Sequence, residues 1–297
     1  MKINNPLFPG ADPFLLHHDG TYYIYCTKEN DLELIGHNGF DTVIDGIDGF
    51  EVHTSKDLVN WQCQGYCLKK QDAVGEKWFW APEVYYYKGK FYMLYSAEEH
   101  MAIAVSDSPL GPFVAHAQGW LRPGKSIDGH LMFDDDGNIY LYYVRLDCGN
   151  QIFVAKMSDD LKKIEQEYEE LLIDAQEPWE TVDCRVAEGP YVLKRNGKYY
   201  LTYSANHTRC KDYAMGYAVA DHPLGPFVKY EGNPILKRKG NIVGVGHSSM
   251  CYVPEEDLLL CAYHCHNLNG DNFKPRQTCI SRAQFINDCL TIDVDES

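Results

Sequence analysis

The sequence predicts an all-β protein, a five-bladed β-propeller built as one domain over residues 1–297. Three observations predict it: aromatic runs with strand alternation, scarce helical periodicity, and a two-part motif that returns five times. The 22 Tyr, 12 Phe and 5 Trp gather in stretches such as Tyr22-Tyr23-Ile24-Tyr25 and Tyr85-Tyr86-Tyr87. Aromatic side chains suit a pleated, half-buried surface, and here Gly, Asp and Asn bound the runs. Only residues 161–172 have spacing for a turn or two of helix.

The first half of the repeat is a polar-Gly turn followed by an aromatic strand. It reads Asp19-Gly20-Thr21-Tyr22-Tyr23, Lys88-Gly89-Lys90-Phe91-Tyr92, Asp136-Gly137-Asn138-Ile139-Tyr140 and Asn196-Gly197-Lys198-Tyr199-Tyr200, with a degenerate copy at 255–263. Such pairs suit tight hairpins because Gly accepts positive φ. The second half follows each time, as Thr54-Ser55-Lys56-Asp57-Leu58 and Lys156-Met157-Ser158-Asp159-Asp160-Leu161, and loosely as Ile280-Ser281-Arg282-Ala283. The string Pro-Leu-Gly-Pro-Phe occurs in it twice, at 109–113 and 223–227. Five units of about 60 residues with several short strands each fit five four-stranded blades, whereas a β-sandwich predicts no fivefold repeat. The strand at 289–294 or the N-terminus is expected to complete blade five.

Lys+Arg 27 against Asp+Glu 43 gives a net charge of −16. That surface repels phosphate backbones and anionic lipid, which argues against nucleic-acid and membrane partners. No apolar run is long enough to span a bilayer as a helix, and residues 1–9 lack a signal-peptide core. The expectation is a cytoplasmic protein, with a processed exported form left open. The 11 Cys fall without framework spacing, which reads as free thiols.

In a propeller, the inner strand of each blade lines the central channel, so side chains at one phase of the repeat converge. Just upstream of the hairpins stand Asp12, Glu83, Asp128, Glu188 and His247, an ionisable group on every blade. One Asp beside a Pro is ordinarily a turn residue. Four carboxylates crowded into one channel repel each other and are costly to desolvate. Such crowding splits their pKa values, and two carboxyls of split pKa are the equipment of glycoside hydrolysis.

On these residues the sequence resembles glycoside hydrolase family 43. The likeness runs through Ala11-Asp12-Pro13, Trp80-Ala81-Pro82-Glu83, Ser126-Ile127-Asp128-Gly129, Ala187-Glu188-Gly189-Pro190-Tyr191, Gly244-Val245-Gly246-His247 and Arg276-Gln277. It implies an inverting hydrolase of small xylan- or arabinan-derived oligosaccharides. Asp12 would be the general base, Glu188 the general acid, and Asp128 the group that sets the acid's pKa. Glu83 becomes a wall or sugar-contact residue, and Trp80 a pocket wall, with packing inside a blade as its alternative. Arg276 resembles a late arginine that reaches into the site of exo-acting members; otherwise it is a surface strand residue. His247 would hold a divalent cation, usually Ca²⁺, on the channel axis, or else only hydrogen-bond a carboxylate.

The function expected is exo-acting β-xylosidase and/or α-L-arabinofuranosidase. An endo-arabinanase, or a carbohydrate-binding propeller without catalysis, is the alternative. Residues 134–138 read as a turn rather than a calcium loop. Cys261, His264, Cys265 and His266 do not read as a zinc site, because strand alternation sends the two Cys and the two His to opposite faces. Asn206 and His207 are left without a role.

Overall fold

Three of the polar-Gly pairs close two-residue hairpins in which both central residues have positive φ: Asp19-Gly20, Lys88-Gly89 and Asn196-Gly197. This left-handed pairing matches the twist of the strands it joins. The structure is a computed structural model, and it describes residues 3–29, 48–147, 149–168, 170–269 and 273–294.

The strands form five antiparallel sheets. Blade one comprises Ala11–His18, Thr21–Thr27, Gly49–Ser55 and Gln62–Lys69. Blade two comprises Trp80–Tyr87, Lys90–Ala97, His100–Ser106 and Val114–Ala115. Blade three is Ser126–Phe133, Ile139–Arg145, Gln151–Met157 and Ile164–Glu167, and blade four is Ala187–Arg195, Lys198–Ala205, Ala214–Ala220 and Val228–Lys229. Blade five runs Gly246–Val253, Leu258–Cys265, Gln277–Ile286 and Cys289–Asp293. The first strands of neighbouring blades pack against one another in a closed ring. The fold is the five-bladed propeller.

Blade five closes with both candidates at once. Phe8–Pro9 pairs with Gln277 and Thr278 of the third strand, and Cys289–Asp293 pairs with residues 282–286 farther along it. Among the described residues of 161–172 there is no helix; 161–163 turn and lead into Ile164–Glu167, the outer strand that blade three needs to cover Gln151–Met157. Residues 134–138 make the expected turn, with Gly137 N–H donating to Asp134 O at 3.0 Å.

Tyrosines stitch blade to blade, which accounts for the repeated Pro-Leu-Gly-Pro-Phe. Fully buried Tyr25 of blade one donates to Pro109 O at 2.6 Å, and Tyr142 of blade three donates to Pro223 O at 2.8 Å. Each phenol buries its ring in an interblade core and satisfies its hydroxyl on the next blade's loop.

Every first strand carries one extra residue at the same place. Register skips between Ala11 and Phe14, Trp80 and Glu83, Ile127 and His130, Glu188 and Tyr191, and Gly246 and Ser249. At each bulge one residue is left-handed: Asp12 at φ 49°, Ala81 at 44°, Asp128 at 53°, Gly189 at 58° and His247 at 47°. A bulge breaks the ladder and leaves an N–H without a strand partner. The preceding blade supplies one. Thr27 Oγ1 accepts from Ala81 N–H (2.8 Å), Ser96 Oγ from Asp128 N–H (3.0 Å), Ser204 Oγ from His247 N–H (2.7 Å) and His264 Nδ1 from Asp12 N–H (3.2 Å). These four acceptors occupy equivalent positions at the ends of second strands. Blade three has Val144 there, and Gly189 N–H donates to the Asp128 carboxylate instead, at 3.2 Å.

Replacing Ser204 by Ala should therefore orphan a buried N–H and lower stability by about 1–3 kcal/mol. Urea denaturation measures this, and a change below about 0.5 kcal/mol would mean that His247 N–H does not need the cap.

Candidate active site

The bulges bring Asp12, Asp128, Glu188 and His247 close to one another. His247 Nδ1 lies between the first two, 3.4 Å from Asp12 Oδ1 and 3.9 Å from Asp128 Oδ2. Glu188 directly precedes its bulge residue, Gly189, where a Cβ would stand only 3.1 Å from the His247 ring.

Blade two departs from the expected series. Its bulge residue is Ala81, and Glu83 stands two positions farther along, level with His130 of blade three. There it bonds His130 Nδ1 at 2.9 Å and the Tyr85 hydroxyl, and its charge still adds to the rise of the Asp128 pKa. The prolines mark the correct phase: Asp12-Pro13, Ala81-Pro82 and Gly189-Pro190 align, which puts Glu83 past the bulge. Trp80 is half-buried just before Ala81, its ring parallel to Trp78 at 6.1 Å, while Phe79 between them is core. Arg276 is buried rather than on the surface. Its Nη1 donates to Asp12 Oδ1 at 3.0 Å and to Thr208 Oγ1 at 2.8 Å, while Nε and Nη2 reach Glu29 Oε1 at 3.1 and 2.9 Å.

Burial alone would raise all three carboxyl pKa values, but their neighbours divide them. At Asp12 burial is outweighed by Arg276 and then by His247, and the carboxyl falls well below its ordinary range. Thr27 Oγ1 donates to its Oδ2 at 2.7 Å and further stabilises the charge. At Glu188 burial is reinforced by the Asp128 charge, so its pKa is raised; His247 and the Tyr213 hydroxyl only partly oppose this. Asp128 is raised as well, by burial and by Asp12, against the pull of His247 and Gly189 N–H. His247 itself is pulled up: burial disfavours its charge, but Asp12, Asp128 and Glu188 favour it more. Burial and Arg276 push His264 down to about 4, so it stays neutral. The cluster thus offers an ionised carboxylate and a proton-bearing carboxyl in one buried space.

Several partners were not picked out from sequence. Tyr213 OH donates to Glu188 Oε1 at 2.9 Å, and Asn150 Nδ2 donates to Oε2 at 2.7 Å. The Tyr213 ring lies flat on His264, 5.4 Å between centroids. Glu29, lowered to about 2 against the effect of burial by Arg276 and Lys274, fixes Arg276 from behind. His264 could have been found, since it occupies the same place after its aromatic strand as Ser96 and Ser204. Strand alternation does split the cysteines from the histidines: Cys265 lies beside Cys279, while His264 faces the carboxyls. Asn206 is a buried brace, accepting from Val182 N–H and donating to Trp179 O.

A family model described as glycosyl hydrolases family 43 matches residues 3–289. The chain belongs to glycosyl hydrolase family 43. A solved structure described as an endo-1,4-β-xylanase from Bacteroides thetaiotaomicron is 38% identical, with a TM-score of 0.86 over 99% of this chain and 97% of that one. A xylosidase/arabinosidase of Humicola insolens is 30% identical over 73% of this chain and 77% of its own length. A β-D-galactofuranosidase of Aspergillus niger is 26% identical over 96% and 82%.

For a family 43 protein expected to hold Ca²⁺, the donor set is sparse. Among the described residues no three His, Cys, Asp or Glu side chains are grouped to hold a metal ion. Asp12 and Asp128, nearest to His247, already accept from Arg276, Thr27 and Gly189. Calcium takes six to eight oxygens, so these residues fit only a largely hydrated ion at one imidazole nitrogen.

Arg276→Lys should retain a charge but lose the fork that bonds Asp12 and Glu29 together. Weakening a positive neighbour raises a carboxyl's pKa, so the acid limb of kcat/KM should move up by about one pH unit. A pH–rate profile that overlays wild type would show that Arg276 does not govern Asp12.

Proposed function

We propose that this hydrolase is an inverting, exo-acting glycosidase that releases xylose and/or arabinose from short oligosaccharides. The observation that carries the proposal is the opposed displacement of two buried carboxyls, Asp12 downward and Glu188 upward. In the reaction proposed, Asp12 takes a proton from water as the water oxygen bonds the anomeric carbon. Glu188 gives its proton to the glycosidic oxygen as that oxygen leaves with the bonding pair. Asp128, beside Gly189, keeps Glu188 protonated through its charge. Inversion requires the two carboxyls to stand far enough apart to admit a water between base and anomeric carbon.

The sugar class is supported by the xylosidase/arabinosidase of Humicola. The Bacteroides structure, described as an endo-1,4-β-xylanase, favours attack inside a chain as a second reading. Product sizes from linear xylan and arabinan distinguish the two: monosaccharide alone supports exo action, and a ladder of oligomers overturns it. Binding of these sugars with no release from aryl xyloside, arabinofuranoside or galactofuranoside would leave a carbohydrate-binding propeller. A cytoplasmic location belongs to the same proposal, supported by the free thiols of the described cysteines; recovery of the protein outside the cells would overturn it.

Glu188→Gln should lose about 10²–10⁴-fold on substrates with poor leaving groups and far less on activated aryl glycosides, which need no proton. Asp12→Asn should be severely impaired on both, because water must be activated whatever leaves. Equal losses in both variants on both substrates would overturn the assignment.

We also propose a divalent cation at His247, held by one ring nitrogen and water and favoured by the surrounding negative charge. A nearby cation lowers carboxyl pKa values. Its removal should depress kcat/KM most at low pH, where the base becomes protonated, and Ca²⁺ should restore it. Superimposable profiles after complete removal, verified by metal analysis, would dismiss the ion.

A further inference from the structure

Glu188 has two oxygens and one proton, and the atoms around it are not equivalent. Asn150 Nδ2 donates to Oε2 at 2.7 Å, and Tyr213 OH donates to Oε1 at 2.9 Å. An amide N–H can only donate, whereas a phenol can donate or accept. A neutral carboxyl has one good acceptor, its carbonyl oxygen, while its hydroxyl oxygen carries the proton. We propose that Asn150 selects the proton-bearing oxygen: it holds Oε2 as the carbonyl, so the proton transferred to the leaving group sits on Oε1. Asn150 is a positioning residue. The inference rests on reading Glu188 as the general acid.

The backbone ties Asn150 to the strand that carries Glu188. Asn150 O accepts from Ala187 N–H at 3.0 Å, and Asn150 bridges Val186, so amide and acid rise from adjoining, bonded backbone. Gly149 makes the approach possible. It has φ 86°, and a Cβ there would lie 2.7 Å from Arg185 O. Gly149 and Asn150, just before the third strand of blade three, are thereby docked against the residues that lead into blade four. In the transfer, the Oε1–H bond breaks as the glycosidic oxygen takes the proton, and the negative charge left on Glu188 is shared with Oε2, where the Asn150 donor stabilises it.

Two consequences follow for Asn150→Ala. Loss of a donor to the ionised form raises the Glu188 pKa, so the basic limb of kcat/KM should move up by about half to one pH unit. The proton should then divide between the oxygens, and kcat/KM should fall about 10-fold on poor leaving groups but less than about 3-fold on activated aryl glycosides. Asn150→Asp, which can accept the proton at Oε2, should lose more than Asn150→Ala on the poor leaving groups. If Asn150→Ala does not fold, Gly149→Ala carries the test: it displaces the loop from Arg185 and should give the same leaving-group selectivity. Unchanged leaving-group dependence and an unmoved basic limb in a folded variant would overturn the proposal. Glu188→Gln is measured beside them. If it shows the selectivity and the Asn150 variants do not, only the role of Asn150 fails; if Glu188→Gln lacks it, the acid assignment fails and takes this proposal with it.

Discussion

The capping of each bulge N–H by the blade before it is the interaction on which the rest depends. A bulge turns a side chain into the channel but leaves a buried donor unpaired, at a cost of about 1–3 kcal/mol. Thr27, Ser96, Ser204 and His264 each remove that cost for a neighbour, so no blade sets its own inner residue alone. Where Val144 breaks the pattern, Asp128 takes over the capping of Gly189. The exception is chemically useful, because it ties the Asp128 carboxylate to the residue after Glu188.

Charge is organised on the same frame. Arg276 and His247 flank Asp12, whereas the donors that bond Glu188 are neutral, and the nearby Asp128 charge outweighs the pull of His247 there. Two carboxyls buried to a similar extent are thus driven in opposite directions by what stands beside them. Glu29 and Lys274 extend the network outward and keep Arg276 from swinging into solvent. The pair of histidines shows the same logic: three carboxyls raise the pKa of His247, while burial and Arg276 keep His264 neutral.

The repeat made the propeller legible, because each blade's hairpin turn and aromatic strand are local chemistry written within some ten residues. Asp12, Asp128, Glu188 and His247 were legible for a related reason, since equivalent phases of a closed ring must converge. Glu83 was misplaced by one turn of the pleat, because the phase was counted from the hairpin rather than from the proline after the bulge. Tyr213, Asn150 and Glu29 carried no repeat signal. They lie on loops or strand ends, where position is decided by long-range docking such as Gly149 on Arg185, and no spacing rule encodes that. The outer strand at 164–167 was obscured because its exposed face has the composition of a surface helix.

The closure of blade five has a temporal consequence. Asp12 belongs to the first strand of the ring, whereas Arg276, 264 positions later, lies at the start of the strand that the N-terminal segment and the final strand flank together. Gly10 N–H bonds Arg276 O at 2.8 Å, so joining the two ends of the chain also brings this ion pair together. During synthesis, blades one to four leave the ribosome with Asp12 still lacking its guanidinium partner. A contact of such long sequence separation forms late. The surroundings of Asp12 are therefore completed only when the strand that follows Arg276 has joined the first blade.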